Sequence, residues 1–419
     1  MLFCKVHFLY NILIFLVDLL LPITAIFNPK MKLFVNGRKS TFQTITSKIN
    51  PSDKVIWIHC ASLGEFEQGR PIIENFKLQF PNYKIVLTFF SPSGYEIRKN
   101  YEGADVIVYL PMDTPQKVRK FINVVHPELA IFVKYEFWPN YLKQLRKQNI
   151  KTILISGIFR ENQAFFKSNF AWYRNQLQAF SHFFVQDDTS VALLQNIGFQ
   201  NVSKSGDTRF DRVSQLVSQK KDIPFLKEFA YGAHVLVAGS TWSPDETILI
   251  PYINQTQNLK HKFIIAPHNI HLTDIEKLKA GIHKNVVLYS QINVQNANEA
   301  QVIIIDSIGL LSAAYAYAQV AYVGGGFGTG IHNVLEPATY GIPILIGPKY
   351  QKFKEAVDLV NLGGCVEIKN ELDLTQTLDL LAQNQNITKT KGQSSKHYVM
   401  NNMGASEKIL DYIKDVVIL

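Results

Sequence analysis

The chain has 419 residues, of which 47% are apolar and 18% are charged, a composition typical of globular domains and not of disordered chains. At this length, two domains of roughly 150–200 residues each are expected. The 43 basic and 34 acidic residues leave a net charge of +9, which favours anionic partners such as phosphate-bearing substrates, nucleic acid or an acidic membrane face. Cys4, Cys60 and Cys365 are scattered and form no CxxC motif, so neither a disulfide framework nor a structural zinc site is predicted, and a reducing cytoplasmic setting fits.

The first part of the chain is strongly apolar. The stretch Phe8–Phe27, FLYNILIFLVDLLLPITAIF, approaches the length of a bilayer span, but it contains Asn11, Asp18 and Pro22. No small-residue cleavage site follows it, which argues against a signal peptide. It is followed by the basic residues Lys30, Lys32, Arg38 and Lys39. We therefore expect residues 1–27 to form an anchor that lies in or dips into the inner leaflet, with a full span or a buried helix as alternatives.

Short apolar, β-branched runs alternate with helical patterns along the rest of the chain, which predicts parallel sheets. The first half has predicted strands at Val55–Cys60, Lys84–Phe90, Val106–Leu110, Leu129–Val133, Thr152–Ser156, His182–Val185 and Val202–Ser205. The second half has them at Val235–Gly239, Phe263–Pro267, Val286–Tyr289, Val302–Ile305, Ala321–Val323 and Ile344–Ile346. The fold class is therefore α/β, with two Rossmann-like domains, 28–215 and 216–393, facing a cleft. A C-terminal helix, 394–419, is expected to pack back on the first domain.

The first loop whose residues could take part in catalysis is SLGEFEQ, after the first predicted strand. Ser62 and Glu65 have the spacing of a capping box, in which each side chain satisfies a free backbone N–H. The carboxyl ends of parallel strands also line the ligand crevice in such sheets, and Gly64 would let another molecule approach closely. On this stretch alone, Glu65 is either a helix cap or a catalytic carboxylate.

Other charged residues of the first half also follow predicted strands. Glu136 in IFVKYEFWPNYL follows one strand, Arg160 in SGIFREN follows the next, and Arg209 in SGDTRFDRV follows the last. Successive strand ends converge on one edge of a parallel sheet, so these side chains are expected to share a crevice. A solvated turn residue remains the alternative for Glu136.

In the second half, a glycine-rich loop follows the strand in VAYVGGGFGTGIHNVLEP. Gly324, Gly325 and Gly326, followed by a helix near Asn333 and Glu336, are typical of an anion site, although these last two residues also have capping-box spacing. Ser240 and Thr241 in GSTWSPDE and His268 in IIAPHNIH follow neighbouring strands. No Walker, HExxH or DxD-type metal motif is evident, so no metal or other cofactor is expected.

Together these segments resemble the 3-deoxy-D-manno-octulosonic acid (Kdo) transferases of lipopolysaccharide synthesis, glycosyltransferases with the GT-B fold. Seven segments occur in the family's order over most of the chain. They are the apolar N-terminus, SLGEFEQGRPII, YEFWPN, GSTWSPDE, IIAPH, IDSIGLLSAAYAYAQVAYVGGGF and HNVLEPATYGIPILIGP. HNxLEP combined with an early SxGE is specific to this family. The looser glycine-loop and Glu pattern is shared by GT-B enzymes in general.

The resemblance implies inverting transfer of Kdo from CMP-Kdo to a lipid A precursor (lipid IVA) at the cytoplasmic face of the inner membrane. It implies Glu65 as the catalytic base, with Glu136 and Arg160 on the acceptor side. It also implies CMP-Kdo, the lipid acceptor and the membrane surface as partners, and no nucleic acid. The implied donor-binding residues are Ser240, Thr241, His268, Arg209, Gly324, Gly325, Gly326, Asn333 and Glu336.

The chain departs from the family's pattern at three points. Pro267-His268-Asn269 stands where Pro-Arg-His is common, so a usual phosphate-binding arginine is missing. VKYEFWPN replaces the commoner ETELWPN, and GDTRFD replaces GNLKFD, with Arg209 in place of the lysine. A UDP-sugar transferase or UDP-GlcNAc epimerase, or a non-catalytic membrane-tethered binding protein, remains the alternative to a Kdo transferase.

Overall fold

A computed structural model describes residues 2–167, 170–218 and 222–418. The chain forms two compact units. The first comprises Met1–Arg212 and Met403–Leu419, and the second comprises Val213–Asn402. Each unit contains one seven-stranded sheet, and every strand pair in both sheets is parallel.

The sheet of the first unit has the strand order β3-β2-β1-β4-β5-β6-β7. Its strands are β1 (Lys54–Cys60), β2 (Tyr83–Phe89), β3 (Val106–Tyr109), β4 (Leu129–Val133), β5 (Lys151–Gly157), β6 (His182–Val185) and β7 (Val202–Lys204). The order reverses between β1 and β4, and in open α/β sheets such a reversal point is where ligands bind, beyond the carboxyl ends of the strands. The predicted site loops after β1 and β4 are therefore neighbours.

The sheet of the second unit has the strand order β10-β11-β9-β8-β12-β13-β14. Its strands are β8 (His234–Thr241), β9 (His261–Pro267), β10 (Val286–Leu288), β11 (Val302–Ile304), β12 (Val320–Val323), β13 (Ile344–Ile346) and β14 (Cys365–Glu367). Its order reverses between β8 and β12, so the loops after Thr241 and Val323 are the neighbours here.

Helices connect the strands and cover the sheets. They are α1 (Leu2–Phe27), α2 (Pro29–Lys39), α3 (Thr41–Lys48), α4 (Leu63–Gln79), α5 (Pro92–Arg98), α6 (Pro115–Val125), α7 (Pro139–Lys147), α8 (Ala171–Gln176), α9 (Asp188–Asn196), α10 (Arg209–Ser218), α11 (Leu226–Ala230), α12 (Ser243–Gln255), α13 (Leu272–Gly281), α14 (Val294–Glu299), α15 (Leu311–Ala314), α16 (Leu335–Tyr340), α17 (Lys354–Asn361), α18 (Glu371–Gln383), α19 (Gln385–Asn401) and α20 (Ala405–Ile418).

The apolar strands bury both faces of each sheet, as parallel sheets require. On one face of the first sheet, Trp57 is fully buried and packs against Phe121, Phe132 and Tyr141 with ring centroids 5.0–5.5 Å apart. On the other face, buried residues of α20, including Ile409 and Ile413, belong to the same apolar cluster as β1 and α4. The C-terminal helix is thereby part of the core of the first unit.

Helix α1 is long and apolar enough to cross a membrane by length and composition, over Val6–Phe27 with a mean hydropathy of 2.2. One side of it is nevertheless attached to the first unit by polar contacts. The Tyr10 hydroxyl donates to Asp113 (2.7 Å), and Asn140 Nδ2 donates to Asn11 Oδ1 (2.8 Å). Lys117 Nζ lies 2.6 Å from a carboxylate oxygen of Asp18.

The structure differs from the predicted fold in one strand and in the C-terminal helix. The strand β14 was not predicted, because a three-residue strand directly after Gly363-Gly364 has too few apolar residues to give a periodic signal. The single helix expected over 394–419 is two helices, α19 and α20, separated around Gly404, whose φ of 96° ends a right-handed helical path. The first of them lies in the second unit and the other in the first.

Candidate active site

Glu65 lies in the first turn of α4, directly after β1. The Ser62 backbone N–H donates to Glu65 Oε2 at 3.1 Å, and the Ser62 hydroxyl donates to the same oxygen. The capping geometry expected from the sequence is therefore present. It occupies one carboxylate oxygen, and Glu65 keeps only 8% of its surface exposed.

The second oxygen of Glu65 faces a cation. Lys134 Nζ lies 3.7 Å from Glu65 Oε1. Lys134 is the first residue after β4 and has a left-handed φ of 75°, a conformation that is costly for a residue with a side chain and that clusters at functional sites. The reversal point of the sheet thus brings a carboxylate and an ammonium together.

Glu136 follows two residues later in the same loop and is held from two sides. The indole N–H of Trp138 donates to Glu136 Oε2 at 3.0 Å. His59 Nε2 lies 3.7 Å from the same oxygen, and the His59 side chain is completely buried. The indole therefore fixes the position of this carboxylate, and the buried imidazole lies beside it.

The hydrogen bonds around His59 indicate which ring nitrogen carries the proton. Trp57 Nε1 donates to Thr88 Oγ1 (2.8 Å), and His59 Nδ1 lies 2.9 Å from the same hydroxyl. The Thr88 hydroxyl has one hydrogen, and its other acceptor, the Ile58 carbonyl, lies farther away at 3.5 Å. If the Thr88 hydroxyl donates to Nδ1, the ring N–H is on Nε2, which lies 3.7 Å from Glu136 and has no hydrogen-bond partner among the described residues.

The thiol of Cys60, at the end of β1, reports the concentration of negative charge here. Burial, followed by the charges of Glu65, Glu67 and Glu136, raises the pKa of Cys60 well above its usual range. The predicted carboxylates thus surround one strand end, while the thiol itself stays protonated and unreactive.

The two predicted arginines of the first unit are placed differently. Arg160 is exposed after β5, and its backbone N–H donates to Gln163 Oε1 at 2.9 Å. Arg209 begins α10, and its Nη2 lies 2.8 Å from Asp207 Oδ2. Arg209 lies in the first unit, whereas the other predicted donor-binding residues lie in the second.

In the second unit, a buried carboxylate links the two loops at the reversal point. Asp245 is fully buried, and its Oδ2 accepts from the backbone N–H of Trp242 (2.9 Å) and of Gly325 (2.8 Å). Its Oδ1 accepts from the Tyr322 hydroxyl at 2.8 Å. Ser240 has a left-handed φ of 53°, and the buried Thr241 hydroxyl donates to Glu246 at 3.0 Å.

The glycines of the following loop are required by close backbone packing. A Cβ on Gly324 would lie 2.4 Å from the Ser240 carbonyl oxygen, and one on Gly326 would lie 2.6 Å from Gly347. The N–H groups of Gly324 and Gly325 are already bonded to Gly239 O and Asp245. These two N–H groups are therefore not the free anion-binding donors that the sequence suggested.

Asn333 and Glu336 contact each other. Asn333 Nδ2 donates to Glu336 Oε1 at 3.1 Å, and Asn333 Oδ1 accepts from the Leu335 N–H at 3.0 Å, which caps α16. Helix α16 has only six residues and begins at Leu335, two residues later than expected. Its dipole is correspondingly short, so side chains matter more here than the helix end.

Three aromatic rings stack beside these loops. Trp242 and His268 have ring centroids 4.2 Å apart, and His268 and His332 lie 4.6 Å apart. The Trp242 indole donates to His332 Nε2 at 3.0 Å. Burial lowers the pKa of both histidines, and the pKa of His332 is lowered further by His268 and raised by Asp245.

Beside the stack lies a small groove of about 120 Å³, whose lining includes Thr241, Asn269 and Lys277 together with the carboxylates of Glu246 and Asp274. Lys277, on α13, supplies a cation near the position of the arginine missing after Pro267. Among the described residues, no group of three His, Cys, Asp or Glu side chains is arranged to hold a metal ion.

Several site residues were not predicted. His59 lies inside an apolar strand pattern, and Asp245 has the spacing of an ordinary helix cap, so neither stands out in the sequence. Trp242 follows Thr241 and His332 precedes Asn333, so their positions beside predicted site residues could have marked them as further site residues.

Comparisons with known proteins show which enzymes this chain is similar to. A family model described as 3-deoxy-D-manno-octulosonic-acid transferase (kdotransferase) matches residues 36–212. The 3-deoxy-D-manno-octulosonic acid transferase of Rickettsia prowazekii is 27% identical over 378 residues, 87% of this chain and 79% of that protein. The enzyme of the same name from Haemophilus influenzae is 26% identical over 378 residues, 87% of each chain.

Solved structures show the fold. The UDP-GlcNAc 2-epimerase of Neisseria meningitidis has a TM-score of 0.59 at 14% identity, covering 86% of this chain and 100% of that one. Acinetobacter baumannii MurG has a TM-score of 0.53 at 12% identity, covering 87% and 99%. With the two parallel sheets, these similarities confirm the predicted GT-B fold. The chain is therefore similar over most of its length to Kdo transferases, and it is a glycosyltransferase with the GT-B fold.

Proposed function

We propose that this enzyme transfers Kdo from CMP-Kdo to a lipid A precursor, lipid IVA, with inversion at the transferred carbon. The observation that carries the proposal is the pair of carboxylates, Glu65 and Glu136, at the adjoining ends of β1 and β4. Each has a nitrogen-bearing partner, Lys134 for Glu65 and His59 for Glu136, at 3.7 Å. Two held carboxylates at a reversal point suit the binding and deprotonation of a sugar hydroxyl.

In the proposed reaction Glu65 is the general base. It takes the proton of the acceptor hydroxyl, and the freed oxygen electron pair forms a bond to the anomeric carbon of Kdo. The bond from that carbon to the phosphate oxygen of CMP breaks on the opposite face, and CMP leaves with the electron pair. A positioned base of this kind contributes about 10²–10⁴ in rate.

Glu65 Oε1 is the atom we assign to the proton. Oε2 is already occupied by the Ser62 N–H and hydroxyl, whereas Oε1 faces Lys134. The cap fixes the carboxylate in one orientation, which is the kind of pre-organisation that positioned catalysis needs. Capping and base catalysis are therefore compatible roles for one residue.

Glu136 is proposed to accept a hydrogen bond from the acceptor sugar, with Arg160 exposed on the next strand end to meet a negative group of the acceptor. The hydrogen bond from Trp138, with the His59 ring 3.7 Å away, would keep the free lone pairs of Glu136 aimed outwards. Neither Trp138 nor His59 then needs to move for the acceptor to bind to Glu136.

The donor is proposed to bind at the reversal point of the second sheet. Ser240, Thr241, His268, Asn333 and Glu336 supply polar groups, and Gly324, Gly325 and Gly326 allow close approach. Arg209 is proposed as a further cation for the donor phosphate. The leaving phosphate would be stabilised by such fixed donors without a cofactor.

Lys277 is proposed to replace the arginine missing from the Pro267-His268-Asn269 segment. It lines the same small groove as Thr241 and Asn269. Lys277→Gln should weaken CMP binding about tenfold in a calorimetric titration, as expected for loss of one charged contact. An unchanged dissociation constant would remove Lys277 from the donor site.

We further propose that α1 lies in the cytoplasmic leaflet of the inner membrane instead of crossing it. Its polar contacts to the first unit run from Tyr10 to Asp18, about 12 Å of helix at 1.5 Å per residue. A helix crossing the hydrocarbon core would have to break these contacts or pull a polar surface into lipid. The opposite side exposes large apolar residues, including Leu13 (61%) and Leu20 (52%), as a monotopic helix does.

Donor choice tests the proposed function. The purified enzyme, given lipid IVA and either CMP-Kdo or UDP-sugars, should release nucleotide only from CMP-Kdo. Release of UDP with CMP-Kdo left intact would contradict the proposal and favour a UDP-sugar enzyme of the same fold.

A further inference from the structure

A groove of about 620 Å³ lies between α1, α7 and α8 in the first unit, and neither proposed substrate accounts for it. Its lining includes His7, Asn11, Lys143, Arg146, Lys147 and Trp172. The surrounding contacts are ordered: His7 and Tyr10 each lie with ring centroids 5.8 Å from Trp172, and Asn140 bonds to Asn11.

The groove is cationic on one wall. Lys143, Arg146 and Lys147 are spaced i, i+3 and i+4 on α7, so their side chains project from one face of the helix. All three are exposed. Within the described part of the chain, none of them forms an ion pair, and none of the groove's lining residues is acidic. Three clustered positive charges without internal ion-pair partners attract an anion from outside.

The opposite wall is the membrane helix itself. Phe8 lines the groove and is 64% exposed, and it continues into the apolar side of α1. A ligand in this groove would thus meet cations on one side and, at Phe8, the apolar side of α1 that we place in the leaflet. Trp172 beside it is the residue type enriched at the headgroup level of membranes.

We propose that this groove binds the headgroup phosphate of an anionic phospholipid, so that one lipid of the leaflet is held as an ordered part of the membrane attachment. The inference rests on the proposed leaflet position of α1. Basic pockets beside membrane helices bind such headgroups. Asn11 and Asn175 add amide donors for the glycerol and phosphate oxygens.

The test compares two triple variants of the full-length protein with equal loss of charge. Lys143→Gln/Arg146→Gln/Lys147→Gln removes the groove cations. Lys30→Gln/Lys32→Gln/Lys39→Gln removes three exposed lysines of the basic flank after α1, outside the groove. Binding is measured by flotation with phosphatidylcholine vesicles, with and without phosphatidylglycerol, and by calorimetry with monomeric dihexanoyl-phosphatidylglycerol.

The groove variant should lose about 100-fold in affinity for phosphatidylglycerol vesicles and all measurable binding of the short-chain lipid, because each removed cation weakens attraction several-fold. The flank variant should weaken vesicle binding yet keep the short-chain lipid. Equal short-chain binding by the groove variant and the unmodified protein would overturn the proposal.

A second result would also overturn it. If the groove variant keeps phospholipid binding but shows a raised KM for lipid IVA in detergent, the groove is part of the acceptor site. The binding assays contain neither CMP-Kdo nor lipid IVA, so their outcome is independent of whether the proposed transfer reaction is right.

Discussion

Lys134 Nζ lies 3.7 Å from Glu65 Oε1, while Glu65 Oε2 accepts from Ser62. The two oxygens of one carboxylate therefore have different environments, one inside a helix cap and one facing a cation. Lys134 has a left-handed φ of 75°, a backbone conformation that clusters at functional sites. This division allows Glu65 to be a structural cap and a base simultaneously, and mutagenesis separates the two roles.

Glu65→Gln should fold normally and turn over about 10²–10⁴ more slowly, because glutamine also serves in a capping box but cannot take the proton. Turnover and melting temperature of the purified variant check this. The matched control is Glu67→Gln on the same helix. The Glu67 carboxylate pairs with Arg98 at 2.8 Å, and its replacement should leave turnover nearly unchanged. Near-normal turnover of Glu65→Gln would leave Glu65 as a cap only and make Glu136 the next candidate base.

His59 is expected to position Glu136. His59→Leu removes the imidazole that lies 3.7 Å from the carboxylate and should lower kcat/KM for the acceptor about 10–100-fold, the range expected for loss of a polar contact to a charged group. His59→Gln keeps an N–H donor and should recover part of that loss, while KM for CMP-Kdo stays constant in both. If both variants differ from the unmodified enzyme only in melting temperature, and not in kcat/KM, His59 is a packing residue.

Donor binding should depend on pH through the stacked histidines. The pKa values of His268 and His332 are lowered from the ordinary 6.5, by burial and, for His332, also by His268. A bound phosphate favours their charged forms, so binding takes up protons and affinity for CMP should rise as pH falls from 8 to 6, by at most about tenfold per pH unit for each proton. Asp245, which raises the pKa of His332, is present in the free and in the CMP-bound protein alike.

Titration calorimetry of CMP binding at several pH values measures this slope. His332→Asn should flatten it, because one of the two titrating rings is removed. The CMP phosphate also titrates, with a pKa of about 6, but equally for both proteins. The same pH dependence in the unmodified protein and in His332→Asn would therefore show that His332 does not face the phosphate.

The outward side of α1 should control membrane attachment. Leu13→Glu/Leu20→Glu places charges on exposed apolar positions and should shift the protein from the membrane to the soluble fraction, with turnover on detergent-dispersed acceptor retained. Leu259→Glu/Leu372→Glu makes the same change at exposed positions of the second unit and should not alter fractionation. Equal membrane partitioning of both double variants would contradict the proposed leaflet position.

Most of the fold could be predicted because parallel strands are continuous apolar runs, and β1, β4, β6 and β13 begin or end within a residue of their predicted bounds. The site loops followed from strand ends. His59 could not be predicted as a site residue, since its meaning depends on Thr88 and Glu136, which only the sheet order brings near. The internal pairing of the Gly324 and Gly325 N–H groups likewise depends on the buried Asp245, a tertiary contact that sequence spacing does not encode.

The most direct test of the central claim is a mass spectrum of the lipid after incubation of purified enzyme with CMP-Kdo and lipid IVA. We predict that lipid IVA gains the mass of one or more Kdo residues, that CMP appears in proportion, and that Glu65→Gln gives almost no product. Unmodified lipid IVA and intact CMP-Kdo, with enzyme that is folded and consumes UDP-sugars, would contradict it.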